Sequence, residues 1–292
     1  MSIRNLRTLV AVFKQGSFAA AADQLCLTQS AISQQIRALE DDLGVKLFDR
    51  SGRSPQLNTD GHEACQRALA ILQQYDALGE GLGPAGELQG NLSVGAIYTV
   101  QITSLAPVLA ELRSHYPELF IRVFRGMSAE LVGRVEEGEL DAVIVTGPPL
   151  KQARDCDWHT LSSERFYVIS PIDYPEVDAT ELLQRYPFIR FDRRAWAGTL
   201  IDDELRKQGL RPNEAMELDS LQAALSMVQQ GLGVTIMPLD QATVGEISSR
   251  FRLTPFGQPA LSREIGLYQR RKHNRPQLVQ LLLAGMTHFY SA

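Results

Sequence analysis

Apolar residues recur at helical spacing in three successive runs at the start of the chain. Ser2 caps a run in which Ile3, Leu6, Leu9, Val10 and Phe13 share one face, and Gly16 stops it. Ser17 opens a second run with Phe18, Ala21, Ala22 and Leu25 at i, i+3, i+4 and i+7, its alanines letting a neighbouring helix approach closely. After Cys26 and Leu27, Thr28 opens a third, which reaches Leu43 and ends at Gly44. With Ile32 as origin and about 100° per residue, Ile36, Leu39 and Leu43 fall within about 40° of it, whereas Ser30, Ser33, Gln34 and Arg37 lie roughly opposite. That second face is free of acid until Glu40, Asp41 and Asp42 at its far end. It suits a helix whose N-terminal half enters a DNA major groove, although a merely solvated face on any small bundle has the same wheel.

Lys46 to Arg53 predicts a β-hairpin whose tip offers Arg50 and Arg53 to phosphate or a minor groove. A long helix follows from Thr59, read as its cap, to Leu82. Its seam of Gly61, Cys65, Ala68, Leu72, Tyr75, Gly79 and Leu82 alternates gaps of four and three. That repeat predicts pairing with a second copy, against the alternative of a helix amphipathic within one chain. After Gly90 strands alternate with helices: strands at 92–96, 120–125 and 142–145 around helices at 102–116 and 129–137, then a second unit with strands at 165–169, 187–191 and 234–237 and helices at 179–185, 198–208 and 220–231. A strand at 265–269 and a helix at 276–290 return to the first unit. The pattern predicts an α/β domain with a largely parallel sheet in two lobes around a cleft.

Charge sharpens this picture. The net charge of −5 opposes nucleic-acid binding taken as a sum, but residues 1–62 hold seven Lys and Arg against six Asp and Glu, a net of +1, which leaves −6 for the rest. DNA affinity therefore depends on where a few cations stand and on two heads acting together. No signal peptide or membrane span fits the N-terminus, where Lys14 and Gln15 break the apolar stretch, so a cytoplasmic location is expected. Cys26, Cys65 and Cys156 are too scattered for a disulfide framework, and the five histidines show no metal-ligand spacing, so neither metal nor cofactor is expected. Gly81, Gly83 and Gly86 spell G-x-G-x-x-G, but after a helix and around Pro84, which is the wrong context for a dinucleotide site. The segment reads as a hinge.

The run Gly16-Ser17-Phe18, Ala21-Ala22, Leu25, then Thr28 to Glu40 (TQSAISQQIRALE), then Leu43 to Arg50 (LGVKLFDR) resembles the winged helix-turn-helix of LysR-type transcriptional regulators almost position for position. The closing Leu-Thr-x-x-Gly pattern of that family stands here as Leu57-Asn58-Thr59-Asp60-Gly61, a small departure. Tyr116-Pro117, Gly138 to Ala142 and Gly231 to Val234 with Pro238 resemble the family's effector domain, which is similar to periplasmic binding proteins.

The resemblance implies a multi-domain chain: a helix-rich winged helix-turn-helix at 1–60, a linker helix for dimerisation with a hinge at 61–89, and a bilobal α/β effector domain at 90–292. Lobe I would hold about 90–162 and 265–292, and lobe II about 163–264. It implies a homodimer or homotetramer on double-stranded DNA bearing an interrupted inverted repeat, with RNA polymerase as a further partner and no membrane. Thr28, Gln29, Ser30, Ser33, Gln34, Arg37, Arg50 and Arg53 would contact the DNA. A small organic anion would lie between the lobes near Thr99, Val100, Gln101, Ser128, Thr146, Trp196, Thr199 and Ser220, where hydroxyls and helix N-termini suit an oxyanion, though each hydroxyl could equally be only a helix cap. Arg190, Arg193 and Arg194, near Trp196, read as solvated surface arginines, with attraction of an anionic effector as the alternative.

Other classes fare less well. No G-x-S-x-G elbow, P-loop, CxxC pair or H-E-x-x-H supports an enzyme, and a solute-binding protein would need an export signal where the DNA-binding module stands. A regulator triggered by oxidation of Cys156 or Cys65 is a further alternative, weakened at Cys156 by the flanking Asp155 and Asp157, which disfavour a thiolate.

Overall fold

The computed structural model describes residues 1–49, 55–76, 78, 90–147, 153–272 and 275–291. They form two compact units, one chiefly within Met1–Asn91, the other holding Leu92–Glu136, Leu140–Lys272 and Pro276–Ala292.

The first unit contains α1 (Ile3–Gln15), α2 (Phe18–Leu25), α3 (Gln29–Leu43), β1 (Phe48–Asp49), β2 (Gln56–Leu57) and α4 (Thr59–Asp76). Ser2, Ser17 and Thr28 each accept a backbone N–H from the first turn, and Gly16 and Gly44 take the left-handed conformation that ends α1 and α3. The apolar stripes meet in one core, with Leu9, Ala21, Ile32, Ile36 and Leu39 fully buried. β1 pairs with β2 as the root of a hairpin, Phe48 opposite Leu57. Its tip, with Arg50 and Arg53, lies outside the described residues.

Two readings of this unit need correction. Asn58, not Thr59, caps α4: its Oδ1 accepts the Gly61 N–H at 2.8 Å, while its Nδ2 donates to the Lys46 carbonyl. The seam of α4 also serves its own chain. Cys65, Ala68 and Leu72 are buried in the core with α1, and Gly61 lies so close to the hairpin root that a Cβ there would stand 2.2 Å from the Leu47 oxygen. A spacing near 3.5 marks a buried face without saying which chain buries it. Of its large apolar residues, α4 leaves Ile71 and Tyr75 exposed. Of the predicted stretch beyond Asp76, only Leu78 is described.

The second unit runs β3 (Gly90–Ala96), α5 (Tyr98–Val100), a π turn (Gln101–Leu105), α6 (Ala106–His115), β4 (Leu119–Arg125), α7 (Ser128–Glu136), β5 (Ala142–Gly147), β6 (Cys156–Pro171), α8 (Ala179–Arg185), β7 (Phe188–Phe191), α9 (Trp196–Lys207), β8 (Glu214–Leu218), α10 (Leu221–Gln229), β9 (Val234–Leu239), α11 (Gln241–Ile247), β10 (Phe251–Pro255), β11 (Ser262–Arg270) and α12 (Pro276–Ser291). The strands lie in the order β4-β3-β5-β11-β6-β9-β7-β8, with β10 also on β6.

The sheet is mixed rather than largely parallel. β3 with β5, and β7 with β8 and β9, are parallel, but every pairing of β6 and β11 is antiparallel. β6 carries the crossover. Residues 156–165 pair with β11 beside the first lobe's strands, and residues 165–171 pair with β9 and β10 in the second. Its first half, with Asp157, Thr160 and Ser162, lacks the apolar run that marks a buried strand, so the sequence pattern points only to 165–169. In the second lobe Phe166, Val168, Val234 and Ile236 pack under α8 and α9, while Ile169, Met237 and Leu239 face α10 and α11. Both faces of that sheet are buried, which explains its continuous apolar strands.

Candidate functional site

In the first unit the predicted DNA face stands out on α3. Thr28, Gln29, Ser30, Gln34 and Arg37 are exposed and Ser33 is half-buried. Thr28 caps the helix and its hydroxyl lies 2.9 Å from that of Ser30. Arg37 has no ion pair among the described residues, so its guanidinium is available to a base edge or phosphate. Gln35, on the flank, accepts the Thr8 hydroxyl and ties α3 to α1. Glu40 behaves differently from the two acids that follow it. Its side chain is buried, accepting the Leu47 N–H at 2.9 Å and the Lys46 ammonium at 3.3 Å, so it anchors the hairpin instead of repelling phosphate.

In the second unit a cleft of about 390 Å³ opens between the lobes, near the lower end of the ~300–1,000 Å³ typical of ligand pockets. Helix starts surround it. Thr99 lies in the first turn of the continuous helical run from Tyr98 to His115, Ser128 opens α7, Thr146 lies near the end of β5 and Trp196 opens α9, and all four line the cleft. Neither the Tyr98 run nor α9 has a side-chain cap, leaving their first N–H groups free to meet an anion. Ser128 is buried, and its hydroxyl accepts the Thr146 N–H at 3.3 Å, which joins α7 to β5.

The cleft floor is Arg263, paired across the strands with Glu164 beneath it, where β11 meets the crossing strand β6. Both are nearly inaccessible, at 6% and 4% exposure. Arg263 binds Glu164 through Nε and Nη2 at 2.7 Å, and reaches Thr146 at 3.3 Å and Thr99 at 3.1 Å. One guanidinium therefore ties the crossing strands to two of the predicted site residues.

Four predicted positions stand elsewhere. Val100 is buried in the core at the start of its helix. Gln101 holds the backbone, its Nε2 donating to the carbonyls of Ala96 and Phe124. Thr199 is exposed off the cleft, and Ser220 caps α10, accepting the Ala223 N–H, while its neighbours Asp219 and Leu221 line the cleft. For Val100 and Gln101 helical geometry is the reason: they follow Thr99 directly and turn away from the side it faces.

The three neighbouring arginines also divide. Arg190 is buried and ion-paired with Asp202 and, at 2.7 Å, with Glu214; Arg193 pairs with Glu214 and Glu217. Arg194 does line the cleft, clasped by Asp192, whose carboxyl is held below the usual range by hydrogen bonds from Arg194. Sequence reasoning missed Tyr98, Arg125, Asp192, Asp219 and Arg263, which also line it. They come from segments far apart in the chain, and only the crossing strands bring them together.

Two family models together cover nearly all of this chain. Residues 3–62 match "Bacterial regulatory helix-turn-helix protein, lysR family", and residues 85–288 match "LysR substrate binding domain". The chain belongs to the LysR family of transcriptional regulators. Like other LysR-type regulators it joins a DNA-binding helix-turn-helix to an effector-binding domain, and its matched relatives are named as regulators, not enzymes. A "Probable hydrogen peroxide-inducible genes activator" of Mycobacterium leprae is 33% identical over 94% of this chain and 89% of its own length. An "Uncharacterized HTH-type transcriptional regulator YybE" of Bacillus subtilis is 31% identical over 78% and 80%. Among solved structures, a full-length OxyR from Pseudomonas aeruginosa with one cysteine changed to aspartate matches with a TM-score of 0.68 and 27% identity, covering 98% of this chain and 94% of that one. Full-length CbnR complexed with its target DNA shares the fold at a TM-score of 0.64 and 22% identity, covering 99% and 100%. No helix among the described residues is long and apolar enough to cross a membrane.

Proposed function

We propose that this LysR-type regulator reads an interrupted inverted repeat in double-stranded DNA through Thr28, Gln29, Ser30, Ser33, Gln34 and Arg37, with Arg50 and Arg53 on phosphate or in the minor groove. It acts in the cytoplasm as a dimer or tetramer and engages RNA polymerase there. The net charge of +1 on residues 1–62 favours two heads over one, and the exposed apolar residues Leu43, Val45 and Ile71 beside the α3–α4 groove offer a second copy a surface. An effector with an anionic group enters the cleft, touching Thr99, Ser128, Thr146 and Trp196. It shifts the lobes, and the spacing of the heads follows.

The observation that carries the effector half is the convergence of two uncapped helix starts on a cleft floored by the buried Arg263. Footprinting on DNA upstream of the protein's own gene tests the whole reading. Protection of two half-sites, altered by an organic acid that also raises the melting temperature, is expected. An unprotected upstream region overturns it.

The peroxide-inducible relatives raise a second reading, a thiol trigger. The thiols here support it poorly. No cysteine lines the cleft, and burial pushes Cys65 up to about 11 and raises Cys156 as well, suppressing the thiolate that oxidation needs. Cys26, exposed at the end of α2, is the remaining candidate. A peroxide response in DNA binding that Cys26→Ser keeps in full would remove it.

A further inference from the structure

Three arginines, Arg125, Arg194 and Arg263, share the cleft with three carboxylates, Glu130, Asp192 and Asp219. Three of these six charges are already committed. Arg194 is held by Asp192, and Arg263 by Glu164 beneath it. Among the described residues, that leaves Arg125 with only the Tyr98 ring, its guanidinium 5.0 Å from the centroid, and leaves the exposed Glu130 and Asp219 with no hydrogen bond or ion pair, Asp219 standing close enough to Arg194 to act on its charge. The cleft thus presents carboxylates as well as cations to a ligand, a mixed field that suits a molecule carrying both charges better than a plain anion.

Each lobe repeats this division at its helix starts. The first lobe has an uncapped start at Tyr98 and, in α7, a first turn carrying Glu130; the second has an uncapped start at Trp196 and, in α10, a start preceded by Asp219. The positive end of a helix dipole favours an anion where it is open and is offset where an acid stands on it. Between these poles lie Ile97, Tyr98, Met127, Phe191, Trp196 and Leu221, an apolar lining, half of it aromatic.

We infer that the effector is a zwitterion, a small molecule of the apolar or aromatic amino-acid class, with its carboxylate at Arg125 and the open helix starts, its ammonium at Asp219 and Glu130, and its apolar body on Tyr98 and Trp196. The inference rests on the effector cleft proposed above and names the chemistry it selects. Size agrees, since about 390 Å³ is room enough for a molecule of this kind.

The chain has two tryptophans, Trp158 and Trp196, so Trp158→Phe in the full-length protein leaves Trp196 as the reporter. The probes are L-phenylalanine, L-leucine and L-methionine, each beside the carboxylic acid lacking its amino group and the amine lacking its carboxylate. At least one amino acid saturably changes Trp196 emission, about tenfold more tightly than its acid or amine, as one charge-assisted hydrogen bond would give. Asp219→Asn weakens that amino acid by about tenfold and leaves the acid unchanged. If an acid binds as tightly as its amino acid, or Asp219→Asn changes nothing, the zwitterion is wrong and the cleft reading stands. If no probe alters the emission or the melting temperature, both fall.

Discussion

Thr28 to Arg37 stand on one helix and its cap, whereas the cleft unites residues as far apart as Thr99 and Arg263, separated by 164 positions. In the first unit a single periodicity places the buried stripe and, by subtraction, the exposed polar face proposed to read DNA. The cleft has no such periodicity. Its residues sit at helix starts and strand ends whose neighbours point elsewhere, and a crossing pair of strands is needed to assemble them. Local geometry therefore suffices for a surface carried by one helix, while a site between lobes depends on long-range pairing.

The contrast is sharpest at the crossing. Arg263→Ala leaves the Glu164 carboxylate buried without its partner, and loss of one member of a buried pair costs about 3–5 kcal/mol. Urea unfolding of the full chain, followed by tryptophan emission, should show that loss in the effector domain, while the proteolysis pattern of the DNA-binding module stays unchanged. An unaltered midpoint would mean that the pair does not hold the lobes together. Arg263→Met with Glu164→Leu should recover most of the stability, because no buried charge is then left alone.

Gly61→Ala probes the other side. Its Cβ would stand 2.2 Å from the Leu47 oxygen and 2.5 Å from a Leu57 methyl, so the hairpin root must move, at about 1–3 kcal/mol. DNA affinity should fall with no change at the cleft. Retained affinity would show that the root of the wing does not matter to docking.

If Arg37 reads a base as proposed, Arg37→Ala should cost about 1–3 kcal/mol at that base and relax sequence choice there, with the fold unchanged. Competition between operator and scrambled duplexes measures it. Equal loss on both duplexes would demote Arg37 to a phosphate contact.

The smallest effect is a pH dependence. The lowered folded value of Asp192 contributes stability at pH above the unfolded carboxyl value of about 3.9, which is lost as pH falls through the folded value. In Arg194→Gln the unfolding midpoint should vary less with pH below about 4 than in the wild type. Identical profiles would show that the Arg194 clasp contributes nothing to the cleft wall.

Legibility followed the same division. The caps Ser2, Ser17 and Thr28 and the stops Gly16 and Gly44 could be read because each acts within a few residues. Glu40 looked like one of three acids on a polar face until the hairpin was seen folded back onto it. The seam of α4 was visible, but its partner was not, since Cys65 and Ala68 present the same small apolar surface to a neighbour in the chain or in another copy. Strands β8 and β10 were missed because their residues alternate weakly and stand half exposed beside stronger strands.

Hydrophobic period, caps and turns are local, so the three-helix reading head, its hairpin and the alternating order of the second domain are written in the chain itself. Which residues share the cleft is settled only in the folded molecule. The ion pair of Arg263 with Glu164, the place of Arg125 and Asp219 in the cleft, and the burial of Arg190 all depend on which distant segment lies opposite, because electrostatics and packing act through space rather than along the chain.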